Sequence, residues 1–316
     1  MNARMSATLA WGGVLLAGVL WGGGALVAQF LIDGGIAPQS LSLARFALGV
    51  PLLWWLHWQA QRTGKPGGRW RDLARREQLQ IAGTGAAMAL NVSCWFAGIA
   101  HLGAALPTVI SICCAPVIVA LVSVLRGYEP FGLRLLGGLV LALGGVVLLV
   151  MPAAGWGPLA PGHAAGLAWS FGSAFCYALV VLGNARMPAR VPAVTASALG
   201  MSVAALCMLA IAWPGGITWP TGAAQWLGVS YTGVVTTSVA YLAFAWGARR
   251  LSPTAAVVGT LVEPLVAAWL AAVLLAQPMA PRQWLGAVLL AVAMLLLVRP
   301  AARTKATAST GDVGTT

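Results

Sequence analysis

The sequence predicts an all-α membrane protein built from two related halves, and three observations support this fold class. The 316 residues are 60% hydrophobic and only 8% charged, with a mean hydropathy of +0.87, whereas a soluble domain carries about a quarter charged residues. Apolar stretches of membrane-spanning length follow one another along most of the chain. Residues 77–152 also align with residues 225–300 without a gap, at a constant offset of 148 and with eighteen identities in 76 positions.

Ten apolar stretches are each long enough to form a transmembrane helix. They cover residues 9–31, 38–58, 79–101, 103–125, 132–151, 164–184, 193–213, 224–247, 253–276 and 282–299. The first stretch is too long for the apolar region of a signal peptide, so we interpret it as a retained helix. The repeat sets the boundary between the third and fourth helices, because Leu251-Ser252-Pro253 interrupts the matching place in the second half.

The basic residues predict the orientation of these helices. Alternate crossing puts sixteen of the 18 Lys and Arg residues on one side, with Arg282 on the other side and Arg45 inside a helix. By the positive-inside rule, both termini are then cytoplasmic. A unit of five helices that is repeated once must be inverted, because five is odd, and inverted repeats are typical of secondary transporters.

The predicted organisation is therefore a first five-helix repeat, residues 1–152, and a second one, residues 164–300. Residues 301–316 are small and polar, and we predict that they form a disordered cytoplasmic tail. The first two helices of each half match more weakly than the last three, with Trp21 corresponding to Tyr177.

Two charged residues lie deep in the predicted helices. Arg45 is about eight residues into the second helix and Glu263 about ten residues into the ninth, which places both near mid-bilayer at 1.5 Å per residue. An isolated charge at that depth costs at least about 2.5 kcal/mol, so each should face a partner or a wet cavity. Glu263 is a candidate site for a proton or a substrate cation, and Arg45 is a candidate anchor for a substrate carboxylate. The alternatives are a structural ion pair between them, or an Arg45 side chain that reaches outward.

Pro116 and Pro264 occupy matching places in the fourth and ninth helices. Proline removes a backbone donor and frees the carbonyl one turn earlier, which kinks a helix or turns polar backbone toward a cavity. Both residues are candidates for helix bending or gating. A kink that serves only packing is the alternative.

Aromatic and polar side chains deep in the helices are the candidate lining of a substrate cavity. Rings at this depth can stack on flat or cationic substrates, although each side chain could instead serve helix packing or hydrogen bonds between helices. The candidates are Trp21, Asn91, Trp95, Trp169, Tyr177, Tyr231 and Tyr241.

The sequence lacks the motifs of several other functional classes. It contains no HExxH, GxSxG or Walker GxxxxGK[ST] motif, so we predict that the chain is not an enzyme and does not use ATP directly. The five cysteines and three histidines form no metal-ligand pattern, and we expect no cofactor. The net charge of +12 lies in short loops between apolar stretches, which indicates membrane topology rather than nucleic-acid binding.

Several motifs, taken in order, resemble the EamA-type permeases of the drug/metabolite transporter superfamily. They are LARFALG at 43–49, APVIVALVSVL at 115–125, GYEP at 127–130, GGLVLALGGVVLL at 137–149, YLAFAWGARRLSPTAA at 241–256, VEPLVAAWLAAVLL at 262–275 and GAVLLAVAMLLL at 286–297. The resemblance covers nearly the whole chain. It implies a central cavity lined by helices 1, 3, 4, 6, 8 and 9, and transport of small metabolites, often export of amino acids. Glu129 matches an acidic residue usual in that family, whereas Gln277 stands where the second half usually has glutamate.

We therefore expect a ten-helix secondary transporter of the inner membrane that works by alternating access and exports aromatic or hydrophobic amino acids or related metabolites. Its partners would be a small-molecule substrate, the lipid bilayer and, if transport is coupled, protons that act through Glu263. Two alternatives stay open. One is an uncoupled facilitator or uptake permease, and the more remote one is a membrane-embedded enzyme or receptor.

Overall fold

The structure is a computed structural model of the chain, and it describes residues 3–62, 69–102, 105–151, 163–274 and 279–298. Within these ranges the chain is helical, with short turns between helices and no β-strand. The predicted all-α class is therefore confirmed. The predicted disordered tail, residues 301–316, lies outside the described residues, as does Gln277.

Ten helices make up most of the described part of the chain, with 3-10 turns at Trp70–Asp72 and Trp213–Gly215. They are α1 (Ala3–Asp33), α2 (Pro38–Arg62), α3 (Arg75–Leu102), α4 (Ala105–Leu125), α5 (Leu133–Val150), α6 (His163–Ala185), α7 (Ala193–Ala212), α8 (Ala223–Ala248), α9 (Pro253–Leu274) and α10 (Pro281–Val298). Each helix coincides with one of the ten predicted stretches.

Eight of these helices are long and apolar enough to cross a membrane. α10 is also apolar and slightly shorter, and α2 has 25 residues but carries polar side chains such as Arg45 and His57 within its length. Large apolar side chains such as Leu133 and Leu125 are 87% and 75% exposed on the outside of the bundle. Lipid rather than water is the solvent that suits such a surface.

α5 and α10, which the repeat matches to each other, pack side by side in opposite directions. Arg134 Nε, at the start of α5, donates to the carbonyl of Leu296 near the end of α10, at 2.6 Å. Gln283 Nε2, near the start of α10, donates to the carbonyl of Leu149 at the end of α5, at 3.1 Å. The two contacts are nearly equivalent, because the offset of 148 residues brings the first pair to within one residue of the second pair. Antiparallel matched helices are what an inverted repeat requires.

The other eight helices form two bundles, and the helices of one bundle match those of the other in the repeat. α6 packs most extensively on α3 and α4, and α1 packs in the same way on α8 and α9. We call these groups the α6 bundle (α3, α4, α6, α7) and the α1 bundle (α1, α2, α8, α9). Glycine permits the close approach of helices inside each bundle, because a Cβ on Gly85 of α3 would collide with the backbone of Gly200 in α7.

Irregular backbone occurs in the middle of α8 and α9. α8 widens into a π-helix at Thr232–Val239, a form that is rare and frequent at functional sites. α9 is interrupted between its two parts, Pro253–Gly259 and Val262–Leu274. Pro264 directly follows this interruption, whereas α4 continues through Pro116 as one helix. The two matched prolines therefore have different effects on their helices.

Candidate functional site

Thr260 shapes the interruption of α9. Its Oγ1 donates to the carbonyl of Val257 at 2.7 Å, and its carbonyl accepts the backbone N–H of Glu263 at 3.0 Å. Pro264 has no N–H to offer this carbonyl in the α-helical pattern. The second part of α9 therefore starts at Val262 and carries Glu263 in its first turn, where the helix dipole favours a negative charge.

A small cavity lies at this interruption, between α4, α6 and α9. Its volume is about 20 Å³, enough for one water molecule. Ile112 and Thr260, which both line it, are matching positions of the two repeats, so the cavity lies where the two halves meet. The full lining is Ile112, Tyr177, Thr260, Leu261, Glu263 and Pro264.

The Glu263 carboxylate borders this cavity without a hydrogen bond from any described residue. The charged group that acts on it is Arg45, yet the two side chains do not come within the 4.0 Å of an ion pair. A carboxylate in a region of low dielectric is stabilised when a proton or a cation neutralises it. The position of Glu263 therefore suits the binding of either one.

Arg45 is held by the π-helical part of α8. Its Nε donates to Thr237 Oγ1 at 3.1 Å, and its Nη2 lies 3.5 Å from Thr236 Oγ1. Both hydroxyls donate in turn to the carbonyl of Thr232, at 2.9 and 2.6 Å respectively. The direct ion pair with Glu263, one of the alternatives that the sequence allowed, is not formed in this structure, because the guanidinium is oriented by the threonines instead.

Trp21 connects α1 to the same segment of α8. Its Nε1 donates to the carbonyl of Thr236 at 2.8 Å, and its ring centre lies 5.6 Å from that of Phe244. Glycine lets α1 approach the interruption in α9, because a Cβ on Gly22 would lie 2.6 Å from the carbonyl oxygen of Glu263. α1, α8 and α9 thus converge around the two deep charges.

Asn91 and Trp95 belong to a separate polar network inside the α6 bundle. Ser173 Oγ donates to Asn91 Oδ1 at 2.9 Å and lies 2.9 Å from Ser111 Oγ. Trp95 Nε1 donates to Thr108 Oγ1 at 3.1 Å. These bonds join α3, α4 and α6, and they satisfy polar groups that would be costly in a lipid environment.

The other aromatic candidates lie in different settings. Tyr177 borders the cavity and donates its hydroxyl hydrogen to Thr260 Oγ1 at 3.1 Å. Tyr241 is 4% exposed, and its hydroxyl accepts a hydrogen bond of 2.9 Å from Asn184 Nδ2, which links α6 to α8. Tyr231 is half-buried beside α1, and Trp169 is 46% exposed on α6.

The two bundles are joined between the cavity and the end of the molecule that carries most of the basic residues. Besides the tyrosine contacts, Glu129 Oε1 accepts the backbone N–H of Thr254 at 2.9 Å and so caps the start of α9. The first part of α9 packs on α4 and α6 and also on α1 and α10, whereas the second part packs mainly on α1. The contacts of α9 with the α6 bundle thus come mainly from its first part, before the interruption.

Sequence reasoning missed several residues that build this region. Asn184, Ser173 and Thr260 were not candidates, although each lies inside a membrane helix and is polar. A signal was present for Thr260, because the matching position in the first half is Ile112 and a hydroxyl has replaced an apolar side chain. For the other two, the partner on the neighbouring helix decides the role, and a single sequence does not show it.

The protein has two inverted halves whose matched helices are antiparallel, and an interrupted helix beside a deep carboxylate. These features define a class, the membrane transporters with inverted repeats. Comparison with known proteins gives the particular family. The EamA-like transporter family matches residues 9–151 and, a second time, residues 164–299. The chain belongs to the EamA-like transporter family.

The chain is also similar to individual proteins. The uncharacterized transporter YwfM of Bacillus subtilis (strain 168) is 30% identical over 138 residues, which are 42% of this chain and 45% of that protein. The similarity thus spans less than half the length of this relative. A solved structure described as "Crystal structure of protein" is 18% identical, covers 94% of this chain and 98% of its own, and has a TM-score of 0.72. At that identity it supports the fold alone.

Family membership identifies the protein as a multi-pass membrane transporter rather than an enzyme. A transporter of this kind handles small molecules within a lipid bilayer.

Proposed function

We propose that the protein is a secondary transporter that works by alternating access and exports aromatic or hydrophobic amino acids across the inner membrane. The observation that carries this proposal is the interruption of α9, which places Glu263 beside a cavity at the junction of two inverted bundles. Discontinuous helices of this kind surround the substrate sites of many transporters near the bilayer midplane. Both termini would face the cytoplasm, as the basic residues predict.

The charges near the centre suit a zwitterion. Arg45 offers a guanidinium for a carboxylate, and Glu263 offers a carboxylate for an ammonium group. The two attract each other at a distance beyond the 4.0 Å of an ion pair, so a substrate with both charges would neutralise both on binding between them. Trp21, Tyr177 and Tyr231 lie on the surrounding helices and would pack on an apolar or aromatic side chain.

The alternating cycle would use the contacts between the bundles. Tyr177–Thr260 and Glu129–Thr254 join the bundles between the centre and the predicted cytoplasmic end. We therefore assign this structure to a state that is closed toward the cytoplasm. Opening to that side would break these bonds, while the second part of α9 and α1 would move toward the outer parts of α4 and α6.

Flux in proteoliposomes tests this function. We expect labelled tryptophan to cross faster than in protein-free vesicles, and a pH gradient to change the rate. Tryptamine lacks the carboxylate and indole-3-propionate lacks the ammonium group, so each should move at least about tenfold more slowly, since 1.4 kcal/mol of lost binding is tenfold. No flux of any aromatic or hydrophobic amino acid would contradict the proposal, and flux that ignores the pH gradient would favour the uncoupled facilitator.

Direction is measured in inside-out membrane vesicles, where an exporter accumulates substrate in the vesicle interior. Accumulation in right-side-out vesicles alone would instead support the uptake alternative. The same vesicles test localisation, because an inner-membrane transporter should be found in that membrane fraction.

A further inference from the structure

Arg249 lies just after the end of α8, at the same end of the molecule as the bonds that join the bundles. Its Nη1 donates to the carbonyl of Val191, in the turn between α6 and α7. Its Nε and Nη2 are both buried and have no hydrogen-bond partner among the residues that the structure describes. One edge of the guanidinium is thus satisfied by the protein, and the other edge is not.

No carboxylate of the described part of the chain acts electrostatically on Arg249. The groups that act electrostatically on it are Tyr241, a neutral phenol at ordinary pH, and Arg250, a second cation. Burial lowers the pKa of Arg249 to about 10, so the side chain is still charged at pH 7. A buried charge without an opposite charge beside it lowers the stability of a protein. Binding of an anion beside the guanidinium would offset this cost.

The geometry of these two donors determines which kind of ligand they suit. Nε and Nη2 lie on the same side of the planar guanidinium and point in parallel. Two oxygens of one carboxylate or one phosphate accept such a pair of hydrogen bonds at once. A spherical anion such as chloride cannot make this bidentate contact. Water could satisfy each donor but would not supply the negative charge.

We propose that Arg249 is a binding site for an oxyanion, a carboxylate or a phosphate group, at the predicted cytoplasmic end of the bundle junction. This site is distinct from the central one at Arg45 and Glu263, and it does not depend on the proposed direction or substrate of transport. The oxyanion is either that of a solute from the cytoplasm or the headgroup phosphate of an anionic lipid.

Equilibrium binding of labelled inorganic phosphate and labelled acetate to the full-length protein in a maltoside detergent tests the site. We expect saturable binding that excess chloride does not displace. Arg249→Gln should weaken it by about tenfold or more, because two charge-assisted hydrogen bonds are lost. Arg249→Lys should weaken it to a similar degree, since lysine keeps the charge but not the two parallel donors. Arg249→Lys tests the same two donors if Arg249→Gln does not fold.

Arg62→Gln is the matched control. Arg62 lies at the end of α2, is exposed, and stacks on Trp58 at 3.4 Å, so Arg62→Gln changes the net charge equally and should leave binding unchanged. Displacement of phosphate by short-chain phosphatidylglycerol but not by acetate or tryptophan would assign the site to lipid. The reverse pattern would assign it to a solute.

Three results would overturn the proposal. The first is that the wild-type protein binds neither phosphate, acetate nor phosphatidylglycerol. The second is that chloride competes as well as the oxyanions, or that Arg249→Lys binds like the wild type. The third is that binding disappears in Arg45→Gln and persists in Arg249→Gln, which would place the anion at the central site.

Discussion

Tyr177 on α6 donates a hydrogen bond of 3.1 Å to Thr260 on α9, at the place where α9 is interrupted. The bond joins the α6 bundle to the α1 bundle beside Glu263. If the bundles rock against each other during transport, this bond breaks once in each cycle. The strength of this hydrogen bond should therefore set the equilibrium between the states that are closed and open toward the cytoplasm.

Removing either end of this bond should shift the protein toward the state that is open to the cytoplasm. Tyr177→Phe keeps the ring, and Thr260→Val keeps the shape of the side chain. We expect each to speed labelling, from the cytoplasmic side, of a cysteine at position 254 in a variant without native cysteines. Thr254 is 0% exposed in this structure, so labelling reports opening.

The double variant separates the bond from its two ends. Since the hydroxyls act on each other, the combined effect should be about the same as that of one substitution, not their sum. Tyr128→Phe, on an exposed tyrosine outside the bundle core, is the control and should not change the labelling rate. Additive effects of the two single substitutions would show that the hydrogen bond itself does not hold this end closed.

Arg45→Lys should raise the KM for a zwitterionic substrate by about tenfold, because lysine cannot hold both threonines and face a carboxylate at the same time. Fold stability should change little, since Thr236 and Thr237 keep their hydrogen bonds to the carbonyl of Thr232. Kinetics in proteoliposomes and thermal unfolding measure the two effects. A large loss of stability with an unchanged KM would make Arg45 a structural residue. Arg62→Lys, at the end of α2, is the matched control.

Glu263→Gln should remove the response of transport to a pH gradient. The amide keeps the size of the side chain but can neither take up a proton nor balance a cation. The substitution breaks no hydrogen bond of the Glu263 carboxylate with a described residue. Flux of labelled tryptophan with and without a gradient measures this. Asp33→Asn changes a carboxylate at the end of α1, where Asp33 accepts a hydrogen bond from Gln29, and should leave the response intact. A Glu263→Gln protein that keeps the wild-type response would rule out the coupling role.

The packing of the two repeats can be tested at two neighbouring glycines. A Cβ on Gly145 of α5 would lie 2.7 Å from the carbonyl oxygen of Gly286 in α10, whereas one on Gly144 would meet nothing within 4 Å. Gly145→Ala should therefore destabilise the protein by about 1–3 kcal/mol, and Gly144→Ala should be neutral or stabilising, because alanine favours a helix. Unfolding in mixed detergent micelles compares them. Equal effects would mean that α5 and α10 do not pack as the structure has them.

Much of the fold could be predicted because its determinants are local or additive. Apolar length determines the helices, and the constant offset of 148 residues reveals the repeat. The odd number of helices per repeat then requires the inversion that the contact between Arg134 and Leu296 displays. Counting residues along a helix predicts a common depth for Arg45 and Glu263, and the two charges do interact in the structure.

The site was less predictable because its geometry depends on contacts between helices. Pro116 and Pro264 are matched in sequence, but only α9 is interrupted beside its proline. The difference lies one turn earlier, where Thr260 can hydrogen-bond its own backbone and Ile112 cannot. The sequence of α8 gave no clear signal of a π-helix, because its threonines are equally compatible with an α-helix. Their contact with Arg45 on α2 is visible only in the structure.

Paired distances across the two ends of the bundle test alternating access most directly. Spin labels at positions 126 and 250 report the predicted cytoplasmic end, and labels at positions 30 and 100 report the other end; all four residues are exposed. We predict that a transported substrate and a pH gradient lengthen the distance between 126 and 250 while they shorten that between 30 and 100. Transport with both distances constant, or with both changing in the same direction, would contradict the account.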